Sequence, residues 1–207
     1  MKNYCPLLIA FFVLSFILGC KIDGQKENKN NYVVDKSGKV FVKDTTSMII
    51  RDYTDDDELI IQAIELKNQG NYTFAIRKFD RAEKKYGKRL SIYLNRGSCY
   101  DFLGKKEEAI SDFTKCLNIK EDYLAALLNR GLAYMNLKNY EKALIDLNEA
   151  IKVDPTEPAC FLNRAVLFRS MGKFEESCRD AKRSIDLGFV EKYNNNQATN
   201  IVRRYCN

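Results

Sequence analysis

The chain has 207 residues, with 34 Lys and Arg against 28 Asp and Glu, a formal net charge of +6, and no His. Without His the commonest general base and metal ligand are missing. No phosphate-cradling Gly loop, zinc-ligand spacing or nucleophile elbow replaces them, so no catalytic residue, metal ligand or cofactor is predicted. Basic and acidic residues are interspersed rather than gathered in a stripe, which argues against nucleic acid as a partner.

The N-terminus reads as an address. Met1-Lys2-Asn3 is a short basic start, and Leu7 to Leu18 is an apolar run of 12 residues, short for a bilayer span and suited to a signal-peptide core. The ending Ile17-Leu18-Gly19-Cys20 resembles the lipobox of bacterial lipoproteins. The resemblance implies removal of residues 1–19 and attachment of diacylglycerol to the Cys20 sulfur, often with a further acyl group on its amine. Two or more acyl chains anchor a protein stably where one does not. An ordinary secretory signal or a short uncleaved anchor is the alternative. Cleavage removes Lys2 and leaves the chain at about +5. Lys21 stands where enteric lipoproteins retained at the inner membrane carry Asp, and by that analogy the outer membrane of a bacterial envelope is the expected location.

Residues 20–55 read as a polar tether. Lys21 to Asn31 is charged, without apolar periodicity, and predicts a flexible spacer. Tyr32-Val33-Val34, Asp35-Lys36-Ser37-Gly38 and Lys39-Val40-Phe41-Val42 together give a weak hairpin signal, and a lone hairpin is marginal in water. Thr54-Asp55-Asp56-Asp57-Glu58 has the look of a calcium run, but lacks the Gly and distal Glu of a loop site. It reads better as an N-cap followed by acids at the positive end of a helix dipole.

From Asp56 to Phe189 the sequence repeats every 34 residues, four times, without insertion or deletion. The copies are 56–89, 90–123, 124–157 and 158–189. Leu59, Tyr93, Leu127 and Phe161 share one column; Ala63, Gly97, Gly131 and Ala165 share another. Leu66, Tyr100, Tyr134 and Phe168 follow, then Ala75, Ala109, Ala143 and Ser177. Phe79, Phe113, Leu147 and Ala181 come next, then Ala82, Cys116, Ala150 and Ser184. A fixed period of this size means a stack of identical supersecondary units. Within each copy, two apolar stripes at offsets of three and four mark two helices. Turn signals such as Gly104-Lys105-Lys106, Lys138-Asn139-Tyr140 and Gly172-Lys173-Phe174 separate them, and Pro155 closes the third copy. The Gly97/Gly131 and Ala109/Ala143 columns let the paired helices approach closely, so Leu in place of Gly131 would overpack by roughly 1–3 kcal/mol or more.

The third copy, with Leu127, Gly131, Tyr134, Tyr140, Ala143, Leu147, Ala150 and Pro155, resembles the tetratricopeptide repeat. The resemblance covers 134 of the 207 residues. Lys106 departs from the turn aromatic; Ser177, Ala181 and Ser184 weaken the fourth copy; and Gly87, Glu121 and Phe189 replace the closing Pro. The fold class it implies is all-α: a right-handed α-α superhelix of four helix-turn-helix repeats with a concave groove, followed by a capping helix over 190–207. The implied function is protein–protein interaction, as an envelope adaptor or assembly factor with an unidentified protein or peptide partner. An envelope binder of glycan or lipid, and a self-associating structural spacer, are the other readings, and the oligomeric state is open.

Leu94-Asn95-Arg96, Leu128-Asn129-Arg130 and Leu162-Asn163-Arg164 repeat one tripeptide. Asn is a poor helix former, so its recurrence wants a reason. The column resembles the asparagine ladder with which the superhelix of O-linked N-acetylglucosamine transferase grips an extended peptide backbone, and an Asn amide can both donate and accept. An inter-repeat bond that fixes stacking is the competing role. By the same resemblance Ser98, Phe102, Met135 and Arg169 would line the groove and tune the choice of ligand. Ile61 replaces Asn in the first copy, so Ile60, Ile61 and Ile64 would form an apolar entrance. A carboxylate clamp of the family's chaperone-binding members is not expected, because Leu94, Leu128 and Leu162 stand near its positions. Arg96, Arg130 and Arg164 are expected to pair with Asp112, Asp146 and Asp180 on the partner helices.

Of the Cys residues, Cys5 leaves with the signal and Cys116 falls in a small-residue core column. A tail helix is predicted over Val190–Tyr205. Resemblance to bacterial repeat lipoproteins implies a Cys178–Cys206 disulfide clipping that helix to the last repeat, in a compartment where disulfides form. No pairing is read for Cys99 or Cys160.

Overall fold

The computed structural model describes residues 32–34, 40–43, 48–50 and 57–206. It divides the chain into two units, Met1–Asp56 and Asp57–Asn207. The lipobox with Cys20, the stretch Lys21–Asn31 and the acidic residues Asp55 and Asp56 lie outside the described residues.

In the first unit, β1 (Tyr32–Val34), β2 (Val40–Lys43) and β3 (Met48–Ile50) form an antiparallel sheet in the order β1-β2-β3. Tyr32 lies opposite Val42, and Phe41 opposite Ile50. The hairpin signal in the sequence covers β1 and β2 but not β3. Met48-Ile49-Ile50 is apolar but only three residues long, too short for the alternation that reveals a strand.

The second unit is helical. Its first helices are α1 (Glu58–Asn68), α3 (Leu90–Phe102), α5 (Leu124–Asn136) and α7 (Pro158–Ser170). The second helices are α2 (Tyr72–Tyr86), α4 (Lys106–Ile119), α6 (Tyr140–Val153) and α8 (Phe174–Asp186). Each first helix packs most extensively on the second helix of its own copy, and each second helix then packs on the first helix of the next. Successive first helices also touch one another, α1 with α3, α3 with α5 and α5 with α7, to an extent that successive second helices do not. The layer of first helices is therefore the tighter, inner one.

One residue per copy makes the turn between the two helices. Gly70, Gly104 and Gly172 take φ near +75°, and Lys138 takes φ of 59° in the same column. The chain can then hook back so that the next N–H bonds a carbonyl five residues earlier: Asn71 to Leu66, Lys105 to Tyr100, Asn139 to Tyr134 and Lys173 to Phe168, at 2.8–2.9 Å. This satisfies carbonyls that a helix end leaves orphaned.

The repeat columns become the core. Ala75, Ala109, Ala143 and Ser177 are fully buried, as are Ala82, Cys116, Ala150 and Ser184. In the fourth copy the buried hydroxyls find acceptors: Ser177 Oγ donates to the Ala165 carbonyl at 2.8 Å and Ser184 Oγ to the Pro158 carbonyl at 2.9 Å. A Cβ added to Gly97 would sit 2.7 Å from the Phe113 ring, and one added to Gly131 would sit 3.1 Å from Leu147.

The tail departs from the single helix expected over Val190–Tyr205. It is split into α9 (Phe189–Tyr193) and α10 (Gln197–Tyr205). Three consecutive Asn residues separate them. Asn194 adopts a left-handed conformation, which Asn tolerates, and Asn195 accepts from the Gln197 N–H at 2.8 Å, starting the next helix. Helix α10 lies on α8, and Ala198 and Ile201 join Leu162, Ala165, Ala181 and Phe189 in one buried cluster. Cys178 and Cys206 are bridged with their Cα atoms 5.5 Å apart, and Phe174 stacks on Tyr205 at 5.2 Å. Cys99, Cys116 and Cys160 are free and buried; burial raises the thiol of Cys99 to about 11 and those of Cys116 and Cys160 to about 12.

Candidate functional site

The three recurring Arg residues tie three helices each. Arg96 Nε and Nη2 donate to the two carboxylate oxygens of Asp112 at 2.7 and 3.0 Å. Arg130 does the same to Asp146 at 2.8 and 2.7 Å, and Arg164 to Asp180 at 2.6 and 2.9 Å. These forked bonds join the two helices of one copy. The remaining nitrogen, Nη1, reaches back to the second helix of the preceding copy. There Arg96 meets Asp80 at 2.6 Å and Glu83 at 2.7 Å, Arg130 meets Thr114 at 3.1 Å, and Arg164 meets Asn148 at 2.8 Å.

The first of these ties is the most heavily charged. Burial opposes the charge on Arg96, but the Asp112 carboxylate more than offsets it and raises the guanidinium pKa; Asp146 raises that of Arg130. Tyr93 donates to Glu83 at 2.7 Å, and burial together with that carboxylate pushes the phenol to about 12. Burial alone would raise Glu83, yet its bonds to Tyr93 and Arg96 hold it below the usual carboxylate range. With every charge satisfied internally, the Arg column is committed to stacking.

The ladder of ties stops at both ends of the stack. In the first copy the Arg and Asp positions hold Gln62 and Lys78, which bond each other at 2.7 Å. In the last copy the column of Asp80, Thr114 and Asn148 holds Lys182, a cation where an Arg from a further repeat would need an acceptor.

The Asn column lies one residue before the Arg column, on α3, α5 and α7 of the inner layer. Its members are not equivalent. Asn95 is engaged at both ends: its Oδ1 accepts from Lys67 Nζ at 2.7 Å and its Nδ2 donates to the Ser91 carbonyl at 2.8 Å. Asn129 and Asn163 are half-buried and have no side-chain partner among the described residues. Ser98 donates to the Leu94 carbonyl at 2.9 Å. Phe102 is 67% exposed and stacks at 4.9 Å on Tyr72 of the preceding copy. Met135 packs against the cluster of Leu147 and Leu167, and Arg169 is half-buried at the end of α7. Sequence reasoning missed Lys67 and the backward contacts of Nη1. Both were present as columns at the 34-residue spacing, but nothing in their residue types announced a bond across copies.

No group of three or more His, Cys, Asp or Glu among the described residues could hold a metal ion. Asp57 of the acidic run pairs with Arg89. It sits at the start of α1 without a side-chain cap.

Profiles described as tetratricopeptide repeat match residues 90–123 and 125–157, the second and third copies. The chain carries tetratricopeptide repeats. A tetratricopeptide repeat protein from Parabacteroides merdae is similar at 26% identity with a TM-score of 0.57, over 70% of this chain and 62% of that one. This chain thus spans less than two thirds of that protein's length. The first tetratricopeptide domain of Spaghetti (RPAP3), bound to the HSP90 peptide SRMEEVD, is similar at 28% identity with a TM-score of 0.52, over 56% of this chain and 89% of that one. MamA from Desulfovibrio magneticus RS-1 shares the fold with a TM-score of 0.61 at 16% identity, over 73% and 94% of the two chains. No curated protein sequence matches the chain with significance. The repeats of this chain accordingly form a solenoid of the tetratricopeptide type.

Proposed function

We propose that this tetratricopeptide chain is a lipid-anchored adaptor or assembly factor of a bacterial cell envelope, holding an extended segment of another protein against its first helices. The observation that carries the reading is the pair of uncommitted amides, Asn129 and Asn163, in the same column of adjacent repeats on the inner layer. Each has a donor and an acceptor to offer a peptide unit whatever its side chains. The similar domain of RPAP3, which holds a peptide, supports the same use here. The anchor rests on Ile17-Leu18-Gly19-Cys20. No helix among the described residues is long and apolar enough to cross a membrane.

The test is cross-linking capture from intact cells with the native chain beside an Asn129→Ala, Asn163→Ala variant of equal helicity. A specific partner held by the native chain and lost by the variant is the expected result. Capture of the same partners by both would place the function elsewhere. For the anchor, an alkyne fatty acid should label the native chain and not Cys20→Ala; equal labelling of both would remove the lipoprotein reading.

Reduced to its ends, the ladder also bears on the spacer alternative. Gln62 at one end and Lys182 at the other cannot form the Arg tie that joins successive repeats, which favours a single stack over end-to-end assembly.

A further inference from the structure

Six residues beyond the Asn column, the inner layer carries Lys67, Asp101, Met135 and Arg169, one per copy. Asp101, the acid of the set, is neutralised by Lys106 at 2.7 Å. Lys67 is bonded to the neutral oxygen of Asn95, and neither Lys67 nor Arg169 is ion-paired among the described residues. Lys67 is half-buried, and burial lowers its ammonium pKa, as expected of a cation short of counter-charge. An ammonium has three protons, so two remain after the bond to Asn95. The neighbouring Leu94, Leu128 and Leu162, with Asn129 and Asn163 between, carry no charge, and Glu65 on α1 keeps one carboxylate oxygen buried rather than bonded to Lys67. Lys67 and Arg169 are thus two cations without an ion-pair partner among the described residues, one in the first copy and one in the fourth.

Resting on the adaptor reading above, we infer that the segment held in the groove is acidic, with carboxylate side chains meeting Lys67 at one end and Arg169 at the other. Lys67 is in the first repeat and Arg169 in the fourth, so a single terminal carboxylate cannot serve both. A chain running along the Asn column can. Its backbone would bond Asn129 and Asn163 while its side chains supply the missing charge. Both cations also stand in the last turns of their helices, where the dipole alone favours a positive charge. The experiment has to separate that role from ligand binding.

The probe is fluorescein-labelled octaglutamate with an amidated C-terminus, titrated against the full chain in detergent and read by polarisation. Octalysine and a Gly-Ser octapeptide run beside it. The amidated octaglutamate should bind, more weakly as salt rises, and the other two should not. Lys67→Gln with Arg169→Gln should weaken binding about tenfold or more, in line with the strength of charge-assisted bonds. Lys84→Gln with Lys85→Gln, which removes equal charge from the exposed side of α2, should leave it unchanged. Equal binding by the two double variants, or equal binding of the Gly-Ser peptide, overturns the inference. So does binding confined to octaglutamate with a free C-terminus. If no peptide binds while cellular capture still depends on Asn129 and Asn163, the acidic segment is wrong and the groove reading survives.

Discussion

Two glycines in one column face different neighbours, and the difference has measurable consequences. Gly97 lies against the edge of the buried Phe113 ring, where a Cβ would approach to 2.7 Å. The ring is enclosed and cannot retreat, so Gly97→Ala should destabilise by roughly 1–3 kcal/mol. Gly131 lies against Leu147 at 3.1 Å, a flexible side chain, and Ala gains about 1 kcal/mol over Gly in a helix interior. Gly131→Ala should therefore be close to neutral. Urea midpoints of the two variants check this, and an equal loss in both would refute it. Lys138 offers the opposite change: its φ of 59° strains a residue with a Cβ by roughly 1 kcal/mol. Lys138→Gly should raise the midpoint, although the added freedom of the unfolded chain takes back part of the gain. The buried thiols give a pH prediction. Cys99, Cys116 and Cys160 hold their protons to about 11–12, against an ordinary value near 8.5. Folded protein binds more protons than unfolded protein above that pH, so stability should fall as pH rises from about 9 toward 12. Below pH 9 the same thiols should ignore a thiol-reactive dye until the chain unfolds. Early reaction of any of them would contradict their placement.

Between helices, the Arg ties decide register, and they show how far sequence can be read. The pairing of Arg130 with Asp146 follows from two columns that recur at the same spacing on facing helices. Their common dependence on Nη1 for the backward contact does not, because Asp80, Thr114 and Asn148 share a position without sharing chemistry. Arg130→Met leaves Asp146, 3% exposed, with its fork partner gone, and should cost about 3–5 kcal/mol. Arg130→Met with Asp146→Leu should recover most of that, because neither charge is then stranded. A double variant as unstable as the single would mean that the loss came from packing. The turns and the core columns were legible because a 34-residue period repeats each signal four times over. The tail was only half legible, since it occurs once. Its helical pattern was visible, but the break at Asn194 depends on a left-handed residue and a side-chain bond from Asn195, neither of which leaves a periodic trace. The same limit applies to the groove: Asn95, Asn129 and Asn163 are the same residue in the same column, and it is the bonds of Asn95 to Lys67 and to the Ser91 carbonyl that set the first apart.

Across the whole stack, stability is a sum of copies and the junctions between them, so the ends are the weak points. The C-terminal end is secured covalently. The Cys178–Cys206 bridge closes a loop across 28 residues, a constraint of about 3–4 kcal/mol in the chain-entropy account. Cys178→Ser with Cys206→Ser should lower the melting temperature by an amount that a reductant reproduces in the native chain; a reductant without effect would show that α10 holds by packing alone. The closed ends of the Arg ladder also limit how such a protein can lengthen. A repeat appended after the fourth would set its Arg against Lys182. A second copy of residues 124–157 inserted beside the first would bring its own Arg and Asp, and its Arg would find Asn148 behind it as Arg164 does now. Growth by tandem duplication is thus open in the interior and shut at the rims, and a five-repeat chain made by duplicating the third copy should fold where one made by extension frays.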